Sequence, residues 1–324
     1  MRTLSWTALA VAVLIGLSGC GSADPAKPAT TSSAMKGGHQ APPCPAPPAL
    51  SAPPRRVVTM DGGAAAILVR LGLADRIVGT AAPDFFKAFT GDEAATLAKI
   101  PVLDPGQGNA EAVIAAQPDL VIGISRYSFG GFDGTPSVDQ LAKAGAKALV
   151  ACDAGGVVRD LSRTIGFIQQ VAQALEVQQR GTELIAQLTA SIDKAKDLPP
   201  VRVLALSTPP GAGQPVRAQG GTGLANGVLT LAGGRNIAED AGQDFASLSA
   251  EEVVKRDPQA IVVISGFART NDEELLNAVR NSPVLAGTTA VREGRFVVVP
   301  QSILLSPSVL NGEAVATIAE TIHR

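Results

Sequence analysis

The chain holds only two histidines, His39 in a proline-rich stretch near the start and His323 next to the C-terminus. A zinc or manganese site built on imidazoles needs a histidine inside a folded body, as do a Ser-His-Asp set and a Cys-His pair. Hydrolytic chemistry is therefore poorly supplied, and no catalytic residue, metal ligand or cofactor is expected. The remaining candidates are non-covalent. Aromatic content is only 3%, so the positions of the rings carry information. Phe85, Phe86, Phe89, Tyr127, Phe129, Phe132 and Phe267 each follow a stretch that reads as a β-strand, and Lys87, Arg126, Arg217 and Arg269 accompany them. In open parallel sheets ligands bind beyond the carboxyl ends of strands. Rings beside guanidiniums suit a bulky ligand bearing carboxylate or catecholate oxygens. The expected ligand set is Phe85, Phe86, Arg126, Tyr127, Phe129, Phe132, Arg217 and Arg269. The plainer alternative is that some of these phenylalanines are core and some of these arginines merely solvated.

The elements that must position such a set come from a stretch that occurs twice. Asn109-Ala-Glu-Ala-Val-Ile-Ala-Ala-Gln-Pro118 runs into Asp119-Leu-Val-Ile-Gly-Ile124, and Ser249-Ala-Glu-Glu-Val-Val-Lys-Arg-Asp-Pro258 runs into Gln259-Ala-Ile-Val-Val-Ile264. Each copy reads as an N-cap, a short helix stopped by proline, and a strand apolar enough to be buried on both faces. Ser249 with Glu252 also forms a capping box. Two such units imply two α/β lobes with parallel sheets, Rossmann-like in construction. The expected segments are a first lobe over 55–175, an interlobe helix over 176–198 that ends at Pro199-Pro200, and a second lobe over 199–324. A helical connection is stiff, so relative lobe motion should be small. Long helical patterns run from Val157 to Leu175 and from Gln178 to Leu198. The run Gly220-Gly-Thr-Gly-Leu-Ala-Asn-Gly227 matches the dinucleotide fingerprint poorly and reads as a turn into a helix. Glu111 and Glu251 occupy the same first-turn position in the two copies. The plain reading is that each offsets the helix dipole there; the alternative is a matched pair of docking charges, one per lobe, for a partner of near-twofold symmetry.

The first residues address the chain. Arg2 precedes an apolar run, too short to span a bilayer, that closes in Leu17-Ser-Gly-Cys20; this tetrapeptide resembles the bacterial lipoprotein box. A signal peptide over 1–19 and lipidation of Cys20 follow from that resemblance, with several acyl chains holding the protein on the extracytoplasmic face of the cell membrane. Residues 20–54, rich in proline and alanine, read as a disordered tether. Cys44 and Cys152 are the only other cysteines. In an exported protein such a pair reads as a disulfide, with two free thiols as the alternative. A net charge of −2 gives no reason to expect nucleic acid or an anionic lipid surface as partner.

The box at Cys20, the two Pro-led strands, Leu231-Ala-Gly-Gly-Arg-Asn236 and Val291-Arg-Glu-Gly-Arg-Phe-Val-Val-Val-Pro300 together resemble the substrate-binding lipoproteins of ABC importers for ferric siderophores, haem and cobalamin. The resemblance implies a ligand held between two lobes joined by one long rigid helix. It also implies one glutamate per lobe docking on arginines of the membrane permease, and it places Glu111 and Glu251 in that role. A monomer that delivers a ferric siderophore or related metal chelate to an ABC permease is the leading expectation. Haem would use Tyr127, the only tyrosine, yet several haem-binding relatives carry theirs just before the first repeat, where Gly106-Gln107-Gly108 stands here. Cobalamin would lack a tryptophan to stack on. The other classes are an envelope scaffold that keeps the fold without transport, and an enzyme.

Overall fold

The computed structural model describes residues 42–152, 155–192, 199–267 and 271–324. The stretch read as a signal peptide, Cys20, residues 21–41 of the expected tether, and Arg269 lie outside the described residues. In the first half, β1 (Val57–Thr59), α1 (Gly62–Arg70), β2 (Ile77–Ala81), α2 (Gly91–Leu97), β3 (Val102–Asp104), α3 (Ala110–Ala115), β4 (Leu120–Gly123), α4 (Val138–Lys143) and β5 (Lys147–Val150) alternate in the order that builds a parallel sheet. The strand order is β3-β2-β1-β4-β5. Two helices follow, α5 (Ser162–Ala174) and α6 (Gln178–Ile192).

The second half runs β6 (Val201–Leu206), β7 (Val216–Gln219), α7 (Leu224–Leu231), β8 (Gly234–Asn236), β9 (Phe245–Leu248), α8 (Ala250–Arg256), β10 (Ala260–Ser265), α9 (Asp272–Arg280), α10 (Thr289–Glu293), β11 (Phe296–Pro300), α11 (Gln301–Leu304) and α12 (Asn311–Ile322). Its parallel sheet has the order β11-β10-β6-β8, and β7 and β9 form a separate antiparallel pair.

The repeat explains the shared logic of the halves. Asn109 and Ser249 cap α3 and α8 through their side chains, and the residue before each proline, Gln117 or Asp257, sits in the left-handed region at φ 48° or 41°. Pro118 and Pro258 cannot continue a helix, so the chain reverses into β4 or β10. Every residue of these two strands is buried, β4 between β1 and β5 and β10 between β6 and β11.

One apolar core runs through both halves. It joins Val57, Leu120 and Ile122 of the first sheet to Val203, Val262 and Val299 of the second through α1, α5, α6 and α12, with Phe167, Ile168, Leu184, Leu188 and Ile318 among the fully covered side chains. The outer faces carry smaller cores of their own. A buried bond from Thr164 Oγ1 to Asn311 Oδ1 at 2.7 Å and one from Arg70 Nη1 to the Val309 carbonyl at 3.4 Å tie the halves further.

The helical pattern read from Val157 begins only at Ser162. The Val158 amide donates to the Gly221 carbonyl and Asn226 Nδ2 donates to the Val158 carbonyl, so 157–160 is tied to the second lobe instead of coiling into the helix. The glycine run beneath it serves close backbone approach. A Cβ at Gly220, Gly221 or Gly227 would lie 2.1, 2.1 or 2.3 Å from the carbonyl oxygen of Gln243, Glu239 or Asp160, distances no side chain tolerates.

Candidate interlobe binding site

In parallel sheets the strands all point their carboxyl ends to one side, and the helix N-termini gather on that side too. There the structure opens a cavity of about 700 Å³ between the halves. Asp84, Phe85, Lys87 and Ala88, on the 3₁₀ turn after β2, form one wall. Ser265 and Gly266 at the end of β10, Asp272 at the start of α9, and Pro300, Gln301 and Ser302 after β11 form the other.

The described lining is polar and carries three charged groups, Asp84, Lys87 and Asp272. Lys87 Nζ is paired with Asp84 Oδ1 at 2.7 Å, both exposed. Gln301 Nε2 donates to the Gly266 carbonyl at 2.6 Å, which leaves its amide oxygen turned to other partners. The Ser265 and Ser302 side chains make no hydrogen bond among the described residues, and both line the space. Phe267, beside Gly266, is 51% exposed, an unusual state for an aromatic ring and one that suits contact with a ligand.

Beneath the cavity wall, Asp61 caps α1 from a buried position. Its Oδ1 accepts from the Ala64 amide at 2.7 Å and its Oδ2 from the Ile124 amide at 2.8 Å. Burial outweighs these bonds and raises its pKa from 3.8 to about 6.

Of the seven described residues among the eight expected to bind ligand, Phe85 alone is in the described lining of this cavity. Phe86 is half-buried, packed over Gly62. Phe129 is 2% exposed and belongs to the core with Met60, Val121 and Leu141, its ring lying over Gly123; it is a packing residue, because the chain after β4 folds back onto the sheet. Tyr127 and Phe132 stack on each other at 5.5 Å, and Arg126 Nη1 points to the Pro42 carbonyl at 3.5 Å. Arg217 is exposed on β7, opposite Ser247. The structure thus does not bring Tyr127, Arg126 and Arg217 into one cavity. The described part of the cavity lining offers hydroxyl, amide and peptide groups, one phenyl ring, and the charges of Asp84, Lys87 and Asp272. Its residues Ser265, Gln301 and Ser302 stand where β10 and β11 end, so the carboxyl-end rule would have found them had it been applied to polar side chains as well as rings.

Glu111 and Glu251 are exposed on the first turns of α3 and α8, and neither side chain has a partner among the described residues. Cys44 and Cys152 form a disulfide with Cα atoms 6.0 Å apart, fastening residue 44 just beyond β5.

A family model described as periplasmic binding protein matches residues 57–303. The chain belongs to that family. A cobalamin-binding protein of Halobacterium salinarum is 26% identical over 284 residues, covering 85% of this chain and 71% of that protein. Among solved structures, a periplasmic binding protein from Veillonella parvula superposes with a TM-score of 0.72 at 23% identity, covering 85% of this chain and 93% of that one. A structure from an ABC-type Fe3+-hydroxamate transport system of Saccharomonospora viridis superposes at 0.69 with 24% identity, covering 85% and 95%. The two solved structures carry the two-lobe α/β fold, and the family carries the role, substrate binding for ABC transport on the extracytoplasmic side.

Proposed function

We propose that this chain is a lipid-anchored solute-binding component of an ABC importer whose cleft takes a neutral, amide-bearing metal chelate, with a corrinoid of the cobalamin class first. The observation that carries this reading is the cavity lining. Serine hydroxyls, the Gln301 amide and exposed peptide groups can each bond an amide, whereas the one described cation, Lys87, is already paired with Asp84. A polyanionic catecholate complex would find little net positive charge there. The cobalamin-binding relative agrees with this choice. A ferric trihydroxamate is the second reading, favoured by the same lining and by the Saccharomonospora viridis neighbour. In this scheme Cys20 carries the lipid, residues 20–54 are the tether, the lobes span 55–175 and 199–324, and Glu111 and Glu251 meet permease arginines.

Equilibrium dialysis of the mature body without Cys20 tests the reading, because cobalamin is read by its own colour. Retention of one cyanocobalamin per chain supports it. Retention of a ferric trihydroxamate alone moves the conclusion to the second reading. Tight binding of haemin with neither of the others overturns both.

A further inference from the structure

At the outer edge of the second lobe a separate cavity of about 620 Å³ is lined by four arginines, Arg159, Arg202, Arg235 and Arg256, against two carboxylates, Glu239 and Asp240. It shares no lining residue with the interlobe cavity. Three of the guanidiniums hold the fold. Arg159 Nε pairs with Glu239 at 2.8 Å. Arg202 Nε donates to the last carbonyls around α8, Arg256 at 3.1 Å and Asp257 at 2.8 Å, and its Nη2 reaches Asp257 Oδ2 at 3.0 Å. Arg256 Nη1 donates to the Ile237 carbonyl and to Asp240 Oδ1 at 2.7 Å, an interaction that holds the Asp240 carboxyl below its ordinary range.

Arg235 has no such task. Among the described residues its side chain makes no hydrogen bond and no ion pair. Yet it stands in the edge strand β8 as the direct register neighbour of Arg202 in β6, so both side chains leave the same face of the sheet. Like charges side by side in a sheet oppose folding; Asp257 offsets Arg202, and no carboxylate among the described residues pairs with Arg235. Because Asp240 and Glu239 are engaged by Arg256 and Arg159, the cavity's own carboxylates do not serve Arg235. The fork of Arg235 and the Nη1 of Arg202, which makes no hydrogen bond among the described residues, both line this cavity, and guanidinium N–H groups are the donors that planar or tetrahedral oxyanions accept in pairs.

We infer that this cavity binds a small multivalent anion of the phosphate or carboxylate class, gripped by Arg235 and Arg202 with Arg159 at the rim. The site is independent of the cleft and of whatever chelate the cleft carries.

Calorimetric titration of the mature protein with inorganic phosphate and, separately, with citrate tests it. Saturable one-to-one binding is expected, with the two probes competing and affinity falling as sodium chloride rises. Arg235→Gln, on an exposed edge-strand position that folding does not need, should weaken binding at least about tenfold, the loss of one charge-assisted pair. Arg324→Gln, which removes an exposed arginine paired only with Glu320, should leave it unchanged. Absence of saturable binding overturns the inference, and so does an Arg235→Gln protein that binds as tightly as the parent. Displacement of cleft-bound chelate by phosphate would also overturn it, by assigning the anion to the cleft. Failure of the chelate dialysis, by contrast, leaves this result standing.

Discussion

Replacing both bridge cysteines, Cys44→Ser with Cys152→Ser, should cost the folded protein about 2–4 kcal/mol. The bridge closes 108 residues, and for a loop of about that length the chain-entropy relation gives a ceiling near 4.7 kcal/mol. Less than the ceiling is expected, because the segment after Cys44 is loosely seated. Pro47 to Pro53 lie over β5 and α5 with a cavity of about 270 Å³ beneath them, so opening the bridge frees those residues in the folded state as well as the unfolded one. At about 2–4 °C per kcal/mol for a chain of this order, the melting temperature should fall by roughly 5–15 °C. Urea unfolding followed by far-ultraviolet circular dichroism is the suitable assay, since Tyr127 is the one tyrosine and the only tryptophan, Trp6, lies far from the folded lobes in sequence. A second readout isolates the mechanism. An open unfolded chain exposes more surface than a cross-linked one, so the denaturant slope should rise in the variant. A loss below about 0.5 kcal/mol with an unchanged slope would show that the bridge does not restrain the unfolded chain as argued.

Asp61 makes stability depend on pH in the direction opposite to an ion-paired carboxylate. Its raised folded-state pKa of about 6 means that its contribution is fully present below 3.8 and is lost as pH rises through about 6, a fall of up to about 3 kcal/mol. The carboxyls of Asp160, Asp240 and Asp257 are shifted downward, so they act in a lower window; urea midpoints at about pH 4.5 and about pH 7 should differ less in Asp61→Asn than in the parent, and equal differences would refute the assignment. Gly221→Ala should destabilise by roughly 1–3 kcal/mol because its Cβ meets the Glu239 carbonyl, whereas Gly242→Ala, with nothing within 4 Å, should be close to neutral in the same melting experiment. Substituting Glu111 and Glu251 together by alanine should abolish uptake while leaving chelate affinity intact, with at most about 1 kcal/mol lost per helix; normal uptake in the double variant would remove the docking role.

Much of the architecture was readable because local rules and burial agree in it. Asn109, Ser249, Pro118 and Pro258 fix where two helices begin and end, and the apolar β-branched runs after them could only be buried strands. The antiparallel pair escaped because β7 and β9 are four residues each and Phe245, which a strand pattern would bury, is 61% exposed. The late start of α5 escaped for a different reason: Val157 to Leu161 fit a helix locally, but tertiary bonds from Gly221 and Asn226 outweigh that preference. The ligand set was the least legible part. Whether a ring after a strand turns inward, as Phe129 does, or outward, as Phe267 does, depends on how the following loop folds back, and nothing within a few residues encodes that.

The shared core also constrains how the cleft can work. A closing motion of one lobe on the other would have to shear the contacts of α5, α6 and α12 with both sheets, and the close packing of Phe167, Ile168, Leu184 and Ile318 resists continuous sliding. It would also break the buried Thr164 to Asn311 bond, at a cost greater than that of an exposed one because neither group could then reach water. The elements that form the cavity walls are less restrained. The turn at Pro83–Ala88 has no buried residue and the Lys87–Asp84 pair on it is exposed, so it is stabilised by little beyond the seating of Phe85 and Phe86 on Gly62. In the proposed function, capture and release of ligand therefore fall to local movement of the walls over a fixed frame, and the frame in turn would hold Glu111 and Glu251 at a constant separation. That constancy is what a two-point contact with a permease requires, since docking at both points together strengthens the complex only when the spacing is already set.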